Sequence, residues 1–305
     1  MRCRERRVLT SNLGPEGAST NSSNHGPRKL VASLPRGGRS LREQLWFAVR
    51  RLPSVRRLQA VPILGRLMKA VSYRLLPSYS QCSLRVRSGP GKGLCLTLNP
   101  RWETALWQGT YESSVQRTLV NLLSPAKILY DVGGGIGFYS LLAARSGALA
   151  LVFEPDVFNA NCIRRNAEIN GFSSQIRIFE TAVFSETGRL ALEPALQRTG
   201  HGNAHVLPNA SDSRSLRLVP CTALDDFVDN QPAPDVIKID IEGAESEAPK
   251  GAQKIFTRLR PQLICEVHDS ANRGFIDRWA EKMDYTLHWL AGPGSFPVQV
   301  LGSPK

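Results

Sequence analysis

Four carboxylates stand at the C-terminal ends of apolar runs, which is where acids do chemistry in sheets. Asp131 follows Ile128-Leu129-Tyr130 and leads into Gly133-Gly134-Gly135-Ile136-Gly137. Glu154 closes the run Ala148 to Phe153, 21 residues after Gly133. Asp240 and Glu242 end a run from Val236 to Ile241, and Lys238 alternates onto their face. Glycines at 133, 135 and 137 let the backbone turn tightly and approach a ligand without obstruction by a Cβ. A turn of this kind sits at the mouth of a doubly wound sheet, where ligands bind. Spacing puts Glu154 at the tip of the second strand, beside the first, where it accepts both ribose hydroxyls of an adenosine.

An adenosine ligand leaves two cofactor classes open. The dinucleotide fingerprint GxGxxG requires glycine at 138, and this chain has Phe138. Asp131, two residues before the first glycine, would also repel a pyrophosphate. S-adenosyl-L-methionine has no phosphate and carries an ammonium and a sulfonium, so it suits a carboxylate. The expected cofactor-binding residues are Asp131, Gly133, Gly135, Gly137, Glu154, Asp240 and Glu242. Methyl transfer is an in-line displacement that needs an aligned acceptor and little water. An alcohol acceptor must also lose its proton. His268 is the leading base, with Asp240 and Glu266 completing the catalytic set. It follows Glu266 at the end of a strand candidate, Gln262 to Val267, and shares a face with it. The alternative is a histidine that only hydrogen-bonds neighbouring acids. Asp240, Glu242, Glu266 and His268 could instead gather a hard divalent cation such as magnesium. No metal is assigned, because acids near a cationic donor already have a purpose.

The elements that must hold these residues alternate between strand and helix. Strands are expected at Ile128–Val132, Ala148–Phe153, Ile176–Glu180, Val236–Ile241 and Gln262–Val267. Helices are expected at Gly137–Arg145, Asp156–Asn170, Ser246–Leu259 and Ala271–Lys282. That order implies an α/β fold with a parallel sheet covered by helices on both faces. Thr286–Leu290 and Val298–Leu301 can add an antiparallel hairpin at one edge. Upstream, Ser83–Val86 and Leu94–Leu98 flank a Ser88-Gly89-Pro90-Gly91 turn, and a helix follows, ending near Leu123. Trp102, Trp107 and Tyr111 offer stacking surfaces for a sugar, or core. A Gly/Asn/Ser-rich stretch over 197–215, with His201 and His205, reads as a long surface loop.

Charge divides the chain. Residues 1–79 hold 16 Lys/Arg and three Asp/Glu, which leaves 23 of each sign in 80–305. The whole net charge of +13 therefore belongs to the N-terminal quarter. Residues 1–40 read as a disordered basic arm. Residues 41–123 read as a helical and β-hairpin extension, and 124–305 as the cofactor-binding domain. The arm suits peripheral contact with an anionic membrane through residues 1–79, or simple solvation. No interleaved aromatics mark specific nucleic-acid binding. The six cysteines form no CxxC pair and no Cys/His zinc spacing. With neither a signal peptide nor a long apolar run, the expected location is cytoplasmic.

These segments together resemble the FkbM family of S-adenosylmethionine-dependent methyltransferases. The resemblance covers roughly residues 107–290. It is carried by Gly109-Thr110-Tyr111-Glu112, DVGGGIGFYS at 131–140, FEP at 153–155, RNAEIN at 165–170, TALDDF at 222–227, IKIDIEGAE at 237–245, Lys250-Gly251-Ala252 and CEVH at 265–268. It implies a Rossmann-like class I methyltransferase fold with a seven-stranded sheet and one antiparallel strand. It also implies O-methylation of a hydroxyl on a small molecule, sugar or glycolipid. Asp131, Gly133 and Gly135 would hold the methionine part, Glu154 the ribose, and Asp240, Glu242 and Glu245 would border the reaction centre. Two departures stand out. The family commonly has Ala-Asn at 134–135, and Pro249 interrupts the helix after Glu245. They keep open a weakened, cofactor-binding homologue that works through its basic arm.

Overall fold

The computed structural model describes residues 81–100, 103–193, 205–207, 217–290 and 296–305. The expected arm at 1–40, the whole 41–79 helical segment, Trp102 and His201 lie outside the described residues.

A short hairpin opens the described chain, β1 (Cys82–Arg85) against β2 (Cys95–Leu98), antiparallel with Cys82 opposite Leu98. Two helices follow, α1 (Thr104–Gln108) and α2 (Ser113–Leu122). The main sheet uses β3 (Ile128–Val132), β4 (Leu149–Phe153) and β5 (Ile176–Phe179), with helices α3 (Phe138–Arg145) and α4 (Val157–Asn170) between them. A small second sheet comprises β6 (Ala182–Val183), β7 (Gly188–Glu193), β8 (His205–Leu207) and β9 (Arg217–Thr222). After α5 (Leu224–Phe227), the main sheet resumes with β10 (Val236–Ile239) and β11 (Gln262–Val267), separated by α6 (Glu247–Lys250). Helix α7 (Ser270–Met283) and strands β12 (Tyr285–Trp289) and β13 (Val298–Pro304) complete the chain.

The seven-stranded order is β12-β13-β11-β10-β3-β4-β5. Strands β5, β4, β3, β10 and β11 run parallel, while β13 inserts antiparallel between β11 and β12. This is the class I methyltransferase arrangement. Chain order reverses at β3, where β4 lies to one side and β10 to the other, and a crevice opens at such a switch point.

Period-two alternation divides the core into two layers. Leu129, Val152, Val236 and Ile264 face one layer together with α3 and α4 residues. Tyr130, Val132, Phe153, Ile237, Ile239 and Cys265 face the other, packed with Phe256, Ile276 and Trp279. The parity that points Leu129, Val236 and Ile264 at the first layer also sends Asp131, Lys238 and Glu266 there. All three are buried, and Asp131 stands opposite Lys238 in the register. Caps fix the helix starts: the Asp156 carboxylate accepts the N–H groups of Phe158 and Asn159 at 2.8 and 3.0 Å.

Two expectations need correction. The single helix over 246–259 is instead α6, a four-residue turn with Pro249 inside it, followed by a separate wide turn over Ile255–Leu259. Pro249 has no N–H to donate, so it fits a first turn and cannot sit in a continuing helix. The loop expected over 197–215 contains β8, which pairs antiparallel with β7.

Candidate active site

The glycine turn is shaped by a close approach of two strand ends. Gly133 has φ +80°, and a Cβ there would lie 1.8 Å from the Asp240 carbonyl oxygen. Only glycine lets β3 and β10 end this close together. Gly135 is different: at φ +55° its Cβ position meets nothing within 4 Å, so it borders open space. Gly137 caps α3 at φ +83°, with Ile163 3.0 Å from its Cβ position. Gly137 is not among the residues lining the cavity, and it lets α3 pack against Ile163 of α4.

The crevice at the strand ends is a cavity of about 950 Å³, counting its mouth. Gly133, Gly135, Glu154, Lys238, Asp240 and Glu242 line it. The Glu154 carboxylate is locked in place: Oε2 accepts the Gly135 N–H at 2.8 Å, and Oε1 accepts the Asp156 N–H at 2.9 Å. Burial pushes its carboxyl up to about 7, against these two backbone hydrogen bonds.

Asp131 is not on the wall. It lies beneath, with Oδ2 accepting from Ser140 Oγ at 2.5 Å. Its Oδ1 is 3.9 Å from Lys238 Nζ and has no hydrogen-bond partner among the described residues. Burial pushes the Asp131 carboxyl up, while Lys238 and Ser140 oppose that. Lys238 Nζ is 3.2 Å from Asp240 Oδ2 and sits over the Tyr139 ring, 4.8 Å from its centroid. Burial disfavours its charge, yet Asp240, Asp131, Glu112 and Glu266 together hold the ammonium above its ordinary range. Lys238 is thus a counterion for the acids around it. Tyr139 donates its hydroxyl to Glu112.

Glu266 and His268 stand beside Asp240 but off the cavity wall. Glu266 Oε1 accepts from Gln299 Nε2 at 2.9 Å, and burial, Asp240 and Glu112 push its carboxyl up. His268 is clamped: Nε2 is 3.2 Å from Glu242 Oε2, and Nδ1 is 2.8 Å from Glu245 Oε1. Burial opposes its charge, but the hydrogen bonds to Glu242 and Glu245 prevail and push the imidazolium up to about 11. The clamp by two carboxylates favours the alternative of a histidine bonded to neighbouring acids over His268 as the base.

Several wall residues were not anticipated. Tyr139 and Asn159 come from the first turns of α3 and α4, while Ala182, Val183 and Leu192 come from the second sheet. Tyr139 could have been found, since it follows the glycine turn by two residues. The second-sheet residues carry no motif. Trp107 is buried core, whereas Tyr111 reaches the cavity.

A model of the FkbM methyltransferase domain matches residues 131–290, which takes in the glycine turn, β4, β10 and β11. No curated protein matches the chain. Among solved structures, an FkbM methyltransferase from Methylobacillus flagellatus KT is 20% identical with a TM-score of 0.45, covering 59% of this chain and 44% of its own. A precorrin-6y C5,15-methyltransferase from Geobacter metallireducens GS-15 is 12% identical with a TM-score of 0.42, covering 64% of this chain and 90% of its own. An rRNA methylase from Streptococcus thermophilus is 11% identical with a TM-score of 0.42, covering 63% and 96%. The chain thus spans less than half the length of the Methylobacillus protein. With its domain matched over more than half its length, the chain belongs to the FkbM family of methyltransferases.

Proposed function

We propose that this methyltransferase uses S-adenosyl-L-methionine to methylate a hydroxyl of a small molecule, sugar or glycolipid. One observation carries the reading: a rigid carboxylate, Glu154, and the open side of Gly135 border one cavity whose other wall is Asp240 and Glu242. The donors present fit the cofactor. Each Glu154 oxygen keeps lone-pair capacity beyond its one backbone hydrogen bond, which suits two ribose hydroxyls. The unpartnered Oδ1 of buried Asp131 leaves acceptor capacity beneath the glycine turn. Gly133 and Gly135 would border the methionine part, with Asp240 and Glu242 beside the reacting atoms.

When bound, the cofactor supplies a methyl group already activated for displacement. The chain's residues align the acceptor and keep water out. Glu242, on the wall, is the residue we assign to take the acceptor's proton. His268 acts as its positioning residue, because the Nε2 contact fixes the Glu242 carboxylate and Glu245 fixes the ring. Lys238 offsets part of the charge of Asp131 and Asp240.

A thermal-shift comparison tests the cofactor class. S-adenosylhomocysteine should raise the melting temperature and NADH should not. The reverse result would place a nicotinamide cofactor in the crevice. The basic N-terminal residues suit peripheral contact with anionic lipid, and no described helix is long and apolar enough to cross a membrane.

A further inference from the structure

Beside the cavity wall lies a second set of donors with a common geometry. The ends of β10 and β11 bring Asp240, Glu266 and His268 together, one ligand atom of each within 4.8 Å of the others. Opposite corners of one coordination shell are roughly 4–5 Å apart, for metal–ligand bonds of about 2.0–2.6 Å.

Each of the three has one donor atom held by a partner, and the second nitrogen of His268 also meets Glu242. Lys238 Nζ takes Asp240 Oδ2 at 3.2 Å, and Gln299 Nε2 takes Glu266 Oε1 at 2.9 Å. Glu245 Oε1 takes His268 Nδ1 at 2.8 Å. Glu245 is fully buried; the same oxygen accepts the Gly243 N–H at 2.7 Å, and its Oε2 has no partner among the described residues. A buried carboxylate behind one ring nitrogen fixes an imidazole so that the other nitrogen faces an ion. That other nitrogen, Nε2, is 3.2 Å from Glu242 Oε2.

We infer that Asp240, Glu266 and His268 Nε2 form a site for a divalent cation. Two carboxylates and one imidazole, completed by water, suit Mn2+ or Mg2+. The ion takes the place of the Nε2 proton that otherwise ties His268 to Glu242. The inference rests on the proposed methyl-transfer cavity in one respect: Asp240 belongs to its wall. An ion there is reached by an acceptor hydroxyl in that cavity and polarises it.

Mn2+ is the probe. Titrated into the full chain without any nucleoside, it should bind once per chain with sub-millimolar affinity. Pulsed EPR should show one imidazole nitrogen coupled to the ion. Glu266→Gln and His268→Gln should each weaken binding by about tenfold or more, and Glu245→Gln by about tenfold, through the ring it anchors. Glu154→Gln should leave Mn2+ affinity unchanged while weakening S-adenosylhomocysteine. Failure of wild type to bind Mn2+, or binding without nitrogen coupling, overturns the site even if the variants do not fold. Mn2+ binding without S-adenosylhomocysteine binding would instead overturn the cofactor reading and leave the metal site standing.

Discussion

Gly133 and Asp240 meet so closely that a methyl group on one would lie 1.8 Å from the carbonyl oxygen of the other. The contact joins the first strand of the sheet to the strand that carries the acidic wall. It makes glycine a structural requirement at 133 and sets the width of the crevice. Gly133→Ala should therefore destabilise the fold by at least about 3 kcal/mol, since it meets both a clash with backbone and a left-handed φ. Gly135→Ala should cost only about 1 kcal/mol of strain, yet reduce nucleoside affinity by narrowing the cavity. Chemical denaturation of both variants, with titration of the second, checks the contrast.

Lys238 is 2% exposed among acids. Lys238→Met removes the ammonium and keeps the volume, which leaves buried Asp131 and half-buried Asp240 without their counterion. A loss of about 3–5 kcal/mol is expected, measured by denaturant midpoint. The double variant Lys238→Met with Asp131→Asn should recover part of it. No recovery would show that the ammonium matters for something other than the buried charge.

Glu154 makes cofactor affinity depend on pH. Its carboxyl is pushed up to about 7, and ribose hydroxyls bind the ionised form. S-adenosylhomocysteine affinity should rise about tenfold between about pH 6 and about pH 8, as the group ionises. In the free protein the sign is opposite. A carboxyl raised by folding contributes stability below its unfolded value, and that stability is lost as pH rises through about 7. Both trends should vanish in Glu154→Gln.

The β1–β2 hairpin is tied to α4 by side chains that imitate a strand. Asn166 Oδ1 accepts the Thr97 N–H at 2.7 Å, and Asn170 exchanges hydrogen bonds of 2.8 and 2.7 Å with the Cys95 backbone. Asn166→Ala should cost about 1–3 kcal/mol, because it leaves a buried N–H without a partner. Faster hydrogen exchange at the Thr97 amide would locate the effect.

Much of this was legible in the sequence for physical reasons. Strands β3, β4 and β11 are apolar on both faces, and each lies next to a helix, so their pattern allows few other folds. The acids at their ends could be placed because a strand's end is a property of its own residues. The surroundings of Glu266 and His268 could not be read that way. Glu245 is 23 positions upstream of His268 and Gln299 is 33 downstream of Glu266, and only the fold brings them together. The second sheet escaped notice because β6 and β8 have two and three residues, and β9 includes Pro220. The strand expected to reach Ile241 stops at Ile239, where the chain turns through φ +53° at Glu242 and φ +100° at Gly243.

Isothermal titration of S-adenosylhomocysteine into the wild-type chain and Glu154→Ala bears most directly on the carboxylate-lined crevice. Sub-millimolar affinity is expected for wild type, with a loss of about tenfold or more on removing the charged hydrogen-bond acceptor. Equal affinity in a well-folded variant would contradict the account.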